Sequence, residues 1–311
     1  MISNVIGQLA LTAALTANSP NIKHVTEEVS EAIETHYVDA EKIPAITESL
    51  ANHSTSAGAE ETMSLEQIAL YLTDILRQHD KHFVLDYRPP LSNKNKPHAP
   101  SWFTRLEQEN YGFTSLEILN NNIGVLDFWG FAIVNELSKR KVGSIMNFLS
   151  DVDALIIDLR NNGGGSAEMV QLMSSYFIDG KVHLNSLYTR HNDNTQEFWT
   201  ITEINNNHLE NIPLYILISQ DTFSAAEEFA YNLKHLQRAT IVGEPSKGGA
   251  NPWRWYPLSD DFRIGIPITK AINPITQSNW EGVGVKPDVD ATGKNALDVA
   301  YALALEAIQS N

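Results

Sequence analysis

Three short stretches of this chain set chemically capable side chains beside turn-forming residues. The first is SQDTFSAAEEFAYNL, Ser219 to Leu233. An apolar run, LYILIS, ends where it begins, and Ala226, Phe229, Ala230 and Leu233 fall on one face of a following helix whose first position is Ser224. A serine there can give its proton to a neighbouring base while helix-start N–H groups lie unpaired beside it, which is what a nucleophile in acyl transfer needs. The same position equally suits a plain N-cap, the everyday use of Ser224 or Thr222 at a helix start.

The second stretch is DLRNNGGGS, Asp158 to Ser166, directly after the apolar run ALIID. Three consecutive glycines at a strand-to-helix junction let backbone N–H groups approach a ligand closely, as an oxyanion or phosphate site requires. The spacing matches neither GxGxxG nor GxxxxGK[ST], so a nucleotide is not indicated, and a tight turn alone would also account for it. The third stretch is HDKHF, His79 to Phe83. It holds a candidate acid–base imidazole in His82, although one histidine among the ten present is more often a satisfied or surface residue.

The elements that must position these residues can be read from periodicity. Val25, Val29, Ile33 and Tyr37, and then Leu65, Ile68, Leu72, Ile75 and Leu76, recur at helical spacing, so the first quarter should be helical. Ser64 with Gln67 has capping-box spacing. Prolines and asparagines from Pro89 to Pro100 form a linker, and Asn120 to Asn122 a hairpin turn. From Ile123 onward, strands (IGVLDF, ALIIDLR, VHLNSLYTR, PLYILIS, ATIVGE) alternate with helices, ending in one from Ala296 to Ile308. The continuous apolar runs are those of buried parallel strands, an α/β layout. The expected division is residues 1–90 as a helical N-terminal domain and residues 91–311 as an α/β catalytic domain, with Met1 to Ser19 a possible export signal.

A formal charge of −16, without a basic cluster, argues against nucleic acid or an anionic membrane surface as partner. No run past the first 19 residues approaches a membrane span. The absence of cysteine excludes disulfides, a thiolate nucleophile and the common structural zinc sites. No metal or cofactor is expected, the partner should be a peptide or protein, and a periplasmic or otherwise exported setting is favoured over a cytoplasmic one.

Taken in order, DKHF, ALIIDLRNNGGG, TFSAAEEFA, VGEPSKGGA and WEGVGVKPDV resemble the serine peptidase family of C-terminal processing peptidases, the tricorn core and the modules of interphotoreceptor retinoid-binding protein. The resemblance spans Lys23 to Val289 and implies a crotonase-like or ClpP-like α/β core behind a small helical N-terminal domain. About 40 residues separate His82 from Ile123, too few for the PDZ module of processing peptidases, so the branch without that module is implied.

The same resemblance implies Ser224 as nucleophile, His82 as general base, Glu281 as the carboxylate that orients it, and the N–H groups of Gly164 and Ala225 as oxyanion hole. Processing peptidases instead use a Ser/Lys dyad. Here Gly249 occupies the place of that lysine, with Lys247, the alternative base, two positions earlier. Lys81, between Asp80 and His82, stands where relatives often carry a small residue. The implied activity is serine-type peptide hydrolysis, internal or carboxyl-terminal. A catalytically silent binder of apolar ligands is the competing reading, and an isomerase or hydratase on the same core a third.

Overall fold

The computed structural model describes residues 22–54, 63–88, 100–204, 209–259 and 261–310. The possible signal at Met1 to Ser19 and most of the expected Pro89 to Pro100 linker lie outside them. The chain opens with α1 (Ile22–His36), α2 (Ile43–Ser54) and α3 (Leu65–Leu76), then β1 (Val84–Tyr87), α4 (Trp102–Gln108), β2 (Phe113–Leu119), β3 (Ile123–Phe128) and α5 (Glu136–Phe148). β4 (Ala154–Asp158), α6 (Ala167–Ser174), β5 (His183–Thr189), β6 (Asn194–Trp199), β7 (Leu214–Ile218), α7 (Ala225–His235) and β8 (Thr240–Gly243) follow. The chain closes with β9 (Trp253–Pro257), β10 (Phe262–Pro267), β11 (Thr269–Ile272), β12 (Val289–Asp290) and α8 (Ala296–Ser310).

A six-stranded sheet, β12-β8-β7-β4-β3-β2, carries the α/β part. Its pairs are parallel except β2, which returns antiparallel on β3 through the Asn120 to Asn122 turn. β4 and β7 are buried at every position, as their unbroken apolar runs require. Leu155, Ile157, Leu214, Ile216 and Ile218 face the core under α5, α6 and α7. The alternate residues Ala154, Ile156, Tyr215 and Leu217 face α8, whose Ala296, Ala300 and Ala304, one turn apart, let it lie close to the sheet. A smaller antiparallel sheet, β11-β5-β6, flanks this body.

The helical layer has its own core. Val25, Val29 and Ile33 of α1 and Ile68, Leu72 and Leu76 of α3 meet Ile46 and Leu50 of α2, each helix burying one stripe. Ser64 caps α3 through the expected box, its hydroxyl accepting from the N–H of Gln67 at 3.3 Å and its own N–H donating to the Gln67 side chain at 2.7 Å. This core also takes in Phe262, Ile264 and Ile266 from β10, in the sheet β1-β10-β9. A boundary at residue 90 therefore divides β1 from the strand it pairs with: the helical layer is completed by chain that returns from the catalytic part after residue 250.

Candidate active site

The turn from β7 to α7 is fastened to the turn after β4. Thr222 Oγ1 donates to the Leu159 carbonyl at 2.8 Å and accepts from the Ser219 N–H at 2.9 Å. Ser219 Oγ donates to the Arg160 carbonyl at 2.6 Å, and the Phe223 N–H to the Asn162 carbonyl at 3.0 Å. Thr222 thus serves the turn rather than capping the helix. Ser224 stands immediately before α7 with φ +56° and ψ −119°, a conformation non-glycine residues rarely adopt. Its N–H donates to Glu227 Oε2 at 2.8 Å.

Glu227, absent from the site expected above, is what holds this turn. Fully buried, its carboxylate also accepts from Ser246 Oγ at 2.5 Å and from the N–H groups of Gly248 and Gly249 at 2.7 and 2.9 Å. Burial pushes its carboxyl up to about 7, although all four hydrogen bonds pull the other way. The signal was present in the sequence: Ser224 and Glu227 have the same S-x-x-E spacing that Ser64 and Gln67 display.

His82 leaves the end of α3 through a short turn and is buried. Its Nε2 lies 3.3 Å from Ser224 Oγ, and its ring packs on Phe223 with centroids 4.6 Å apart. Its N–H donates to Asp80 Oδ1 at 3.0 Å, while Nδ1 stands 3.7 Å from that oxygen with no hydrogen-bond partner. Asp80 is anchored through Oδ2 by Tyr37 Oη at 3.2 Å and Asn251 Nδ2 at 2.9 Å. Burial and that carboxylate drive the Tyr37 phenol well above its ordinary range, so it stays a hydrogen-bond donor.

Glu281 reaches the same place from the segment before β12. One oxygen accepts from the Ala250 N–H at 2.7 Å; the other, Oε1, is buried and unpartnered. Ligating atoms of Asp80, His82 and Glu281 all lie within 4.8 Å of one another. Burial first, then the charge of Asp80, raises the Glu281 carboxyl to about 8. Two carboxylates thus lie beside one imidazole.

The glycine turn packs against Ser224. Gly164, at φ +87°, approaches so closely that a Cβ there would stand 2.6 Å from the Phe223 carbonyl oxygen and 2.8 Å from the Ala225 nitrogen. The Ala225 N–H carries no hydrogen bond among the described residues. The Gly164 N–H donates to Asn162 Oδ1 at 2.9 Å, and Asn162 is itself held by its Nδ2 on the Phe128 carbonyl at 2.7 Å.

Lys247 Nζ sits 5.1 Å above the Phe223 ring and makes no hydrogen bond to Ser224 or His82 among the described residues. Gly249 lies against the imidazole, where a Cβ would stand 2.9 Å from His82 Cε1 and 2.1 Å from Phe223 Cε2. In this chain the space a lysine side chain would need is taken by His82 and Phe223. Lys81 is exposed.

A hydroxyl, an imidazole and buried carboxylates gathered beyond the carboxyl ends of the central strands make a hydrolase-type site, and comparison with known proteins agrees. The chain belongs to peptidase family S41, whose family model matches residues 122–291, more than half of its length. His82 precedes the matched stretch. The chain is similar to the carboxyl-terminal-processing protease of Synechocystis sp., at 31% identity over 137 residues covering 44% of this chain. It spans only 30% of that relative's own length. Two solved structures share its fold over most of both chains. A candidate peptidase from Parabacteroides merdae has a TM-score of 0.65 at 16% identity, covering 92% of this chain and 97% of that one. The photosystem II D1 C-terminal processing protease has 0.55 at 14%, covering 88% and 94%.

Proposed function

We propose that this protein is a serine peptidase that cleaves protein substrates by acyl transfer, with Ser224 as nucleophile and His82 as base. The observation that carries the reading is Ser224 Oγ at 3.3 Å from His82 Nε2, on a backbone held at positive φ. His82 takes the hydroxyl proton as Ser224 attacks the scissile carbonyl, then delivers it to the leaving amine; water reverses the sequence to release the acyl group. The developing oxyanion is met by the Ala225 N–H and by the Gly164 N–H, which must share its proton with, or turn away from, Asn162. One such donor is worth about 3 kcal/mol in the transition state.

Glu281 supplies the orienting carboxylate through its free Oε1. With a carboxyl raised to about 8, it is largely protonated in the resting site, where Asp80 already provides one negative charge. Loss of that proton prepares the pair to stabilise the imidazolium. Hydrolysis should therefore gain from deprotonation near pH 8, and that limb should vanish in Glu281→Gln.

The similarity to a carboxyl-terminal-processing protease favours carboxyl-terminal segments of proteins as substrates. The Ser/Lys reading is disfavoured by the crowding at Gly249. The test is a fluorophosphonate probe: wild type should label and Ser224→Ala should not. Equal labelling of the two would overturn the assignment, and a wild type inert to both probe and peptide would favour the silent binder.

A further inference from the structure

The groups behind the imidazole are arranged as metal ligands as well as a charge relay. We propose that Asp80, Nδ1 of His82 and Glu281 bind one Zn²⁺ ion, and that the bound ion switches the peptidase off. The inhibitory half rests on the acyl-transfer reading above; the binding half does not.

Nδ1 of His82 is buried and unpartnered, with the side chain 2% exposed, so its lone pair or proton faces protein without a hydrogen bond. Oε1 of Glu281 is buried and unpartnered as well. Asp80 Oδ1 receives a single hydrogen bond, from the His82 N–H, and keeps a second lone pair on the side 3.7 Å from Nδ1. The remaining oxygens are tied down, Oδ2 of Asp80 by Tyr37 and Asn251 and Oε2 of Glu281 by Ala250. Each carboxylate is thus anchored by one oxygen while the other is available.

Ligand atoms at about 2.0–2.1 Å around a tetrahedral ion lie about 3.3 Å from one another. The His82–Asp80 pair at 3.7 Å is near that spacing, and the full set within 4.8 Å reaches it by small side-chain rotations. One imidazole and two carboxylates, with water in the fourth position, suit Zn²⁺. Calcium and magnesium require about six or more oxygens, and this cluster supplies one nitrogen and two carboxylate oxygens.

Inhibition follows from the tautomer. An ion on Nδ1 leaves the ring proton on Nε2, the nitrogen facing Ser224. An Nε2–H has no lone pair to accept the hydroxyl proton, so the attacking alkoxide does not form. The ion also neutralises the carboxylates that would stabilise the imidazolium.

Binding is measured by calorimetric titration of ZnCl2 into the Ser224→Ala protein, with chelator-stripped buffer, and is expected at one equivalent. Glu281→Gln and Asp80→Asn in that background should each weaken it by at least about tenfold, while His191→Ala, at the surface histidine pair with His36, should leave it unchanged. Affinity within about threefold of the parent in both carboxylate variants overturns the site. Because those variants could misfold, Co²⁺ is added to the parent protein itself. An intense visible band of four-coordinate Co²⁺ supports the site, and its absence overturns it. In wild type, Zn²⁺ should slow fluorophosphonate labelling and EDTA restore it; labelling unaffected by saturating Zn²⁺ overturns the switch. A wild type that never labels, with or without chelator, refutes the acyl-transfer reading, and the titrations still decide the ion.

Discussion

The two bodies that meet at Ser224 are stabilised on different terms. The six-stranded sheet is covered on both faces, and β4 and β7 bury every residue, so the Ser224 turn hangs from strands with no solvent face. The helical layer buries single stripes of α1, α2 and α3 and leaves their other faces in water. Polar links between the helices and the rest of the chain include Arg190 on the carbonyls of Glu34 and Thr35 at 3.0 Å, Asn251 on Asp80 at 2.9 Å and the His82–Ser224 contact itself. Strain is therefore kept on the rigid side, and His82, the proposed base, comes from the lighter one.

Removing the helical layer's contribution gives the largest effect. His82→Ala should lower kcat/KM by about 10³-fold or more, read with a peptide substrate, with the unfolding midpoint little changed. A loss under tenfold would detach the layer from the chemistry. Glu281→Gln should come next, with about 10²-fold in kcat and little in KM, while Asp80→Asn should be milder; the opposite ranking would make Asp80 the orienting group.

A cavity in the helical layer sharpens the contrast in another way. Leu72→Ala, at a fully buried position, should cost about 2–5 kcal/mol. Activity should then vanish on heating before the far-ultraviolet signal of the sheet is lost, and coincident loss would mean that the two bodies unfold as one.

The sheet side carries a pH signature. The Glu227 carboxyl is raised from 4.5 to about 7 by burial, so the folded state holds a proton the unfolded chain gives up. Its stability contribution is whole below pH 4.5 and is lost as pH rises through about 7. Urea midpoints should fall between pH 5 and pH 8, by roughly 3 kcal/mol from this group at most, and Glu227→Gln should flatten the fall. The smallest effect is expected for Lys247→Ala, within about twofold in kcat/KM; abolition of activity would restore the Ser/Lys reading.

Much of this was legible in the sequence, for reasons specific to each part. Long periodic segments were read nearly to their ends: Lys23 to Tyr37 overlaps α1 (Ile22–His36) to within one residue at each end, and Ala296 to Ile308 lies within α8. The runs ALIID and LYILI are the two central strands. The region from Trp253 to Ile272 was not read, because its strands are short and β9 is largely exposed, leaving no apolar run to detect. In the site, Ser224 and His82 stood out as candidates by residue type and position, and the family resemblance added Glu281 and the role of each. Glu227 and Asn162 were missed because their work is to hold backbone amides, a role that becomes visible only when the partner loops are in place.

The positive φ of Ser224 has a consequence for how this protein can change. A residue with a Cβ held there costs about 1–3 kcal/mol, which glycine would not incur. Ser224→Gly should thus be dead and sturdier, and a screen for heat resistance that ignores turnover would select it. At this one position durability and chemistry pull in opposite directions, and keeping the serine means the fold works below the stability its own scaffold could reach.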